Sequence, residues 1–121
     1  MEKVNGIGGF FFRSENPATL RAWYKEHLGI DLSPQFSEGP PWRQEEGYTV
    51  FEPFSKDNEM IPPGKQWMIN FRVGDLQKMI SQLRDAGIEV ADLDDYPHGK
   101  FTTLQDPEGN GIQLWEPAQG E

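Results

Sequence analysis

The sequence predicts an α+β fold in which one strand–helix–three-strand unit is used twice, and three observations support this. Two strand-like runs, "GYTVFEPF" (47–54) and "GIQLWEP" (111–117), alternate bulky and polar residues and leave through Glu-Pro. Phe12-Arg13 returns as Phe71-Arg72, and Leu28-Gly29-Ile30 returns as Ala86-Gly87-Ile88, each after roughly sixty residues. Two stretches between these landmarks carry helical spacing with a start and a stop. The expected organisation is a single domain, 1–121, with a first unit over 5–54, a linker over 55–66 and a second unit over 67–117.

"GIGGFFFR" is rich in β-favouring aromatics and reads as a strand. "SENPATLRAWYKEHLG" reads as a helix: Asn16 can cap it, Pro17 suits the first helical position and Gly29 suits the left-handed position past its end. Leu20, Trp23, Tyr24 and Leu28 fall on one face. "IDL" reads as a strand broken by "SPQFSEGPP", and "WRQEEGYTVFEPF" as a hairpin hinged near Gly47. After the Pro/Gly linker the cycle restarts. "QWMINFRV" is a strand, and "GDLQKMISQLRDAG" a helix capped by Asp75 and closed by Gly87. "IEV" is a strand and "ADLDDYPHGK" a loop, and "FTTLQ" and "GIQLWEP" flank the reversal "DPEGN".

Composition narrows the function. The hydrophobic fraction of 36% suits a folded chain, and no apolar run approaches the roughly 20 residues that cross a bilayer, so no membrane role is expected. "MEKVNGIGGFFF" lacks a basic start followed by a clean apolar stretch and reads as structure rather than a leader. The absence of cysteine excludes thiol catalysis and thiolate metal ligands and fits a cytoplasmic location. A net charge of −9 with scattered basic residues argues against a nucleic-acid partner.

"GIGGFFFRSENPATLRAWYKEHLGI", "INFRVGDLQKMISQLRDAGIEV" and above all "DPEGNGIQLWEP" resemble the vicinal oxygen chelate superfamily of glyoxalases, bleomycin-resistance proteins and extradiol dioxygenases. The likeness covers nearly the whole chain. It implies paired βαβββ modules that curl an open mixed sheet into half-barrels, a homodimer, and a small-molecule pocket on the concave face. It also implies metal ligands on the first and last strands of each module. Activities in this superfamily range from isomerase and lyase to plain binder, so the site has to decide.

Strand alternation assigns the faces. The wholly apolar sets, with Phe10, Phe12, Ile69, Phe71, Ile112 and Leu114, should lie beneath the helices. Gly9, Phe11, Arg13, Thr49, Phe51, Met68, Asn70, Arg72, Gln113 and Trp115 should line the pocket. Carried over position by position, the metal site falls on Gly9, Thr49, Met68 and Gln113, and only Gln113 is a residue that metal-binding relatives use there. The expectation is no metal and no cofactor; the alternative is a divalent metal in a glyoxalase-like lyase or isomerase.

Arg13 and Arg72 end equivalent strands, where a guanidinium could bind a carboxylate, enolate or phosphate, or pair at the rim with Glu15 or Asp75. His98 in "YPHGK" could serve as a general base or acid or remain a solvated loop residue, whereas His27, near a helix C-terminus, reads as a surface residue. Glu52 and Glu116 form a repeat-related pair, but their parity and the following Pro place them toward solvent unless a bulge intervenes.

Overall fold

The computed structural model of the protein describes residues 1–30 and 41–119. The expected "IDL" strand and the break after it fall largely outside the described residues. Element order is α1 (Pro17–Leu28), β1 (Met68–Arg72), α2 (Leu76–Asp85), β2 (Asp94–Tyr96), β3 (Gly99–Gln105) and β4 (Gly111–Pro117). The strands form one open mixed sheet in the order β1-β4-β3-β2, with β1 parallel to β4 and the other pairs antiparallel.

Both helices start and stop where their sequences dictate. Asn16 accepts from Thr19 N–H at the start of α1, Pro17 occupies its first turn, and Gly29 ends it at φ 70°. Asp75 accepts from Lys78 N–H at the start of α2. Gly87, at φ 83°, reverses the chain after it, a conformation that costs other residues about 1–2 kcal/mol. Leu20 and Tyr24 of α1 and Leu76, Ile80 and Leu83 of α2 join Val90, Leu104, Ile112 and Leu114 in one core. Both helices therefore cover the same face of the sheet. Five of these side chains are essentially inaccessible to solvent, and each contributes roughly 1.5–3 kcal/mol through burial.

The "DPEGN" turn ties α1 to the sheet. Asp106, buried in the turn, accepts from Glu108 N–H (2.8 Å) and Asn110 N–H (3.0 Å) through Oδ1. Its Oδ2 accepts from Asn110 Nδ2 (2.8 Å) and from the Tyr24 hydroxyl of α1 (2.6 Å). Glu108 reaches the chain just before α1, accepting from Ser14 Oγ (2.6 Å), Glu15 N–H (3.0 Å) and Asn16 N–H (3.3 Å). At the other end of β4, Glu116 Oε1 accepts from Leu76 N–H (2.8 Å), the first residue of α2. One hairpin thus supplies a carboxylate to the start of each helix, where unsatisfied N–H groups favour negative charge.

Four expectations need correction. The runs 5–13 and 42–54 form no strand. Alternation describes the faces of a strand, whereas a ladder needs a free edge alongside it, and periodicity does not encode that. Consequently Phe10 (44% exposed) and Phe12 (36%) are not buried beneath the helices, although both rings pack on Trp67 and Phe12 also meets Tyr24. "IEV" is not a strand; the chain there touches β3 through Ala91 N–H to Thr103 O (3.0 Å), and the paired strand is "DDY" inside the expected loop. Glu116 is half-buried at the start of α2 rather than solvated, because that helix begins over the face to which its parity assigns it.

Candidate functional site

The face of the sheet opposite the helices is organised by register. One row runs Arg72, Trp115, Phe101, Asp94 across β1, β4, β3 and β2. The next is Asn70, Gln113, Thr103, and the third Met68, Gly111, Gln105. Residues directly paired across strands point to the same side, so the sequence-predicted set Met68, Asn70, Arg72, Gln113 and Trp115 is gathered on one surface. The other members lie in the unpaired segments: Phe11 is 93% and Phe51 86% exposed, and Gly9, Arg13 and Thr49 are exposed as well.

The first row is aromatic at its centre. The Phe101 and Trp115 rings are parallel within 4°, with centroids 6.0 Å apart. Tyr96 stacks on His98 at 5.9 Å and meets Phe101 at 6.0 Å, and His98 meets Phe101 at 5.3 Å. Trp115 is buried and donates from Nε1 to the His98 carbonyl (3.2 Å), which holds the Pro97-His98 turn against the sheet. Trp115 is thus the floor of the cluster, while Tyr96 and His98 stay exposed at its mouth. The register predicts none of these contacts for a loop; the signal that sequence reasoning passed over is "DDYPHGKF", two short alternating runs about a two-residue turn.

Gly99 makes the close approach possible. It lies at φ 140°, and a Cβ there would fall against Trp115 Nε1 and 2.6 Å from Glu116 O. Gly99→Ala should therefore cost about 1–3 kcal/mol from overpacking, with further strain from the backbone angle. It should also dislodge the indole, which near-ultraviolet circular dichroism would record. An unchanged tryptophan signal and unchanged stability would contradict this geometry.

In the second row Asn70 Nδ2 donates to Gln113 Oε1 at 2.7 Å. This amide pair, with Thr103 beside it, offers hydrogen bonds next to the rings. Arg72 donates from Nη2 to the Glu45 carbonyl (2.9 Å) and lies against Gly47, so its contact is with the backbone of the preceding segment rather than with Asp75. His27 lies beside Glu26 at the end of α1 and packs on Trp23, remote from the rows. Glu52 is exposed.

The positions that the resemblance assigns to a metal do not suit one. Gly9 has no donor, Thr49 and Met68 offer a hydroxyl and a thioether, and the Gln113 oxygen already accepts from Asn70. Among the described residues no three His, Asp or Glu side chains converge. A cleft of about 520 Å³ lies at the other end of the sheet, between Met60, Pro62, Met68, Val90, Thr103 and Gln105. It contains no aromatic ring; its Met68–Gly111–Gln105 row lies about 13 Å along the strands from the first row, and it shares Thr103 with the second. The ordered rings and amides make the first two rows the better candidate for recognition. No helix among the described residues is long and apolar enough to cross a membrane.

Comparison with known proteins follows the same lines. No curated protein matches the chain. The antibiotic-binding protein TnmS3 from Streptomyces sp. CB03234 shares the fold with a TM-score of 0.65 at 17% identity, over 98% of this chain and 100% of its own. A protein from the mobile metagenome of V. Pseudocholerae gives 0.61 at 17% identity over 98% and 99%. TioX from Micromonospora sp. ML1 gives 0.54 at 19% identity over 89% and 93%. Residues 9–115 match the glyoxalase-like domain family, and the chain belongs to that family, within the vicinal oxygen chelate superfamily.

Proposed function

We propose that the protein is a metal-independent binding module of the bleomycin-resistance type, holding an aromatic or amphipathic small molecule on the helix-free face of its sheet. The observation that carries this reading is the parallel Phe101–Trp115 pair beside the Asn70–Gln113 amides. Rings supply a large, rigid apolar contact, and a few fixed polar groups orient what lies on them. That one solved protein of this fold binds an antibiotic supports the reading by analogy of fold alone.

A single chain leaves much of its apolar surface uncovered. Phe11, Tyr48, Val50 and Phe51 are each more than 70% exposed, and 5–13 and 42–54 have strand-like sequences without a ladder. Paired βαβββ modules completed across a homodimer would cover this surface and wall the site, bringing Gly9, Phe11, Arg13, Thr49 and Phe51 to it.

Three measurements on one preparation test the proposal. Light scattering should give twice the 13.8 kDa chain mass. Elemental analysis after dialysis should find no stoichiometric divalent metal. Planar aromatic compounds should quench tryptophan fluorescence saturably, and Phe101→Ala should weaken that binding roughly tenfold, as expected for loss of a ring contact of about 1–1.5 kcal/mol. One tightly held metal per chain, lost on Gln113→Ala, would instead establish the glyoxalase-like lyase or isomerase.

A further inference from the structure

We infer that Asn5–Gly6 is a site of spontaneous covalent modification, at which the side-chain amide is lost and an isoaspartyl link is left at the head of 5–13. The inference does not depend on the binding reading above. Asn-Gly occurs twice in the chain, at 5–6 and at 110–111, and the two copies have opposite surroundings. Asn5 and Gly6 are exposed, and a Cβ at Gly6 would meet nothing within 4 Å. Among the described residues nothing hydrogen-bonds the Asn5 amide or the Gly6 N–H. Asn110 is 4% exposed and is held from three sides. Its Nδ2 donates to Asp106 Oδ2 (2.8 Å), its N–H donates to Asp106 Oδ1 (3.0 Å), and its carbonyl accepts from Asp106 N–H (3.0 Å). Gly111 is buried and paired with Met68 and Gln105 in the sheet.

The chemistry needs only water and hydroxide. Hydroxide takes the Gly6 N–H proton, and the backbone nitrogen attacks Asn5 Cγ. The new C–N bond closes a five-membered imide, the Cγ–Nδ2 bond breaks, and Nδ2 takes a proton from water and leaves as ammonia. A second water then opens the imide. Opening at the backbone carbonyl routes the chain through the side-chain carbons as isoaspartate, and opening at Cγ gives aspartate. Glycine after the asparagine leaves the nitrogen unobstructed and the backbone free to turn. Pro17 after Asn16 has no N–H to lose, and Glu59 and Phe71 after Asn58 and Asn70 carry side chains beside the nucleophile. At Asn110 the ring cannot close until its hydrogen bonds to Asp106 break and water reaches the buried Gly111 nitrogen, so reaction there waits on local opening. The product adds one negative charge to a chain already at −9 and one backbone carbon just before the alternating run "IGGFFFR".

The test holds the full chain in warm, mildly alkaline buffer, native and in urea, and follows both sites by peptide mass spectrometry. An endoprotease that cuts before aspartate but not before isoaspartate separates the two products. In the native chain Asn5 should convert at least about tenfold faster than Asn110, whose amide the fold protects. In urea the two rates should converge, because the dipeptide is the same. The Asn5 rate should rise with hydroxide concentration, and Gly6→Ala should slow it several-fold while leaving Asn110 and the circular dichroism spectrum unchanged. An Asn5 that stays an amide in the native chain yet converts in urea would overturn the inference, since the segment would then be shielded. Equal rates at the two sites in the native chain would overturn the protection ascribed to Asp106.

Discussion

Asp106→Ala is expected to destabilise the protein by about 4 kcal/mol, because one buried carboxylate serves four donors at once. Removing it leaves the Tyr24 hydroxyl and the Asn110 amide without an acceptor in a site that water reaches poorly. Each buried polar group left unsatisfied costs about 1–3 kcal/mol. The two N–H groups of the turn lose the acceptor that shapes it as well. Tyr24→Phe removes one donor and leaves the other three satisfied, so it should cost only about 1–2 kcal/mol. Urea denaturation of the two variants gives the comparison. A loss below 1 kcal/mol for Asp106→Ala would mean that α1 is not held through this turn.

Leu114→Ala should be comparably severe, at roughly 3–5 kcal/mol. Leu114 is fully buried at the centre of β4, the strand that pairs with both β1 and β3, and it shares its core with both helices. Its removal creates a cavity that hydrogen-bonded strands on either side cannot close. The melting temperature should fall by about 10–20 °C. A fall of only a few degrees would show that the core collapses around the missing side chain, against the packing described.

The second half of the chain was the more legible. Asn16, Pro17, Gly29, Asp75 and Gly87 mark helix ends because capping is local chemistry, settled within a few residues. β3, β4 and their turn were legible for the same reason, since a reversal needs only its own Pro, Gly and Asn. Alternation also assigned Met68, Asn70, Arg72, Gln113 and Trp115 correctly to one face. It said nothing of which edges would meet, and so gave no warning that 5–13 would stand unpaired within the chain. Tyr96 and Asp94 escaped because a three-residue strand is too short for its periodicity to show, and "DDY" is poor in β-favouring residues. Phe101 lies in the strand read as "FTTLQ", whose faces the sequence reading left unassigned. Glu116 escaped because its partner, Leu76 N–H, is forty residues away, and only the packed helix brings them together.

The attachment of α1 to the β3–β4 turn also sets limits in acid and in alkali. Glu108 is held below the usual carboxylate range, first by the Ser14 hydroxyl and then by the Glu15 N–H. A lowered pKa means stability that is present above the ordinary value of about 4.3 and lost as pH falls below it. The Tyr24 phenol is pushed far upward, first by burial, then by the hydrogen bond and charge of Asp106 and the charge of Glu108. Its contribution is complete below about pH 10 and is lost above it, where the unfolded chain ionises and the folded one resists. Proton binding thus loosens α1 at one extreme and proton release at the other. Stability against pH should show a plateau between these values, with Glu108→Gln flattening the acid edge and Tyr24→Phe the alkaline one. Edges that remain where they were in both variants would assign the titration to other groups.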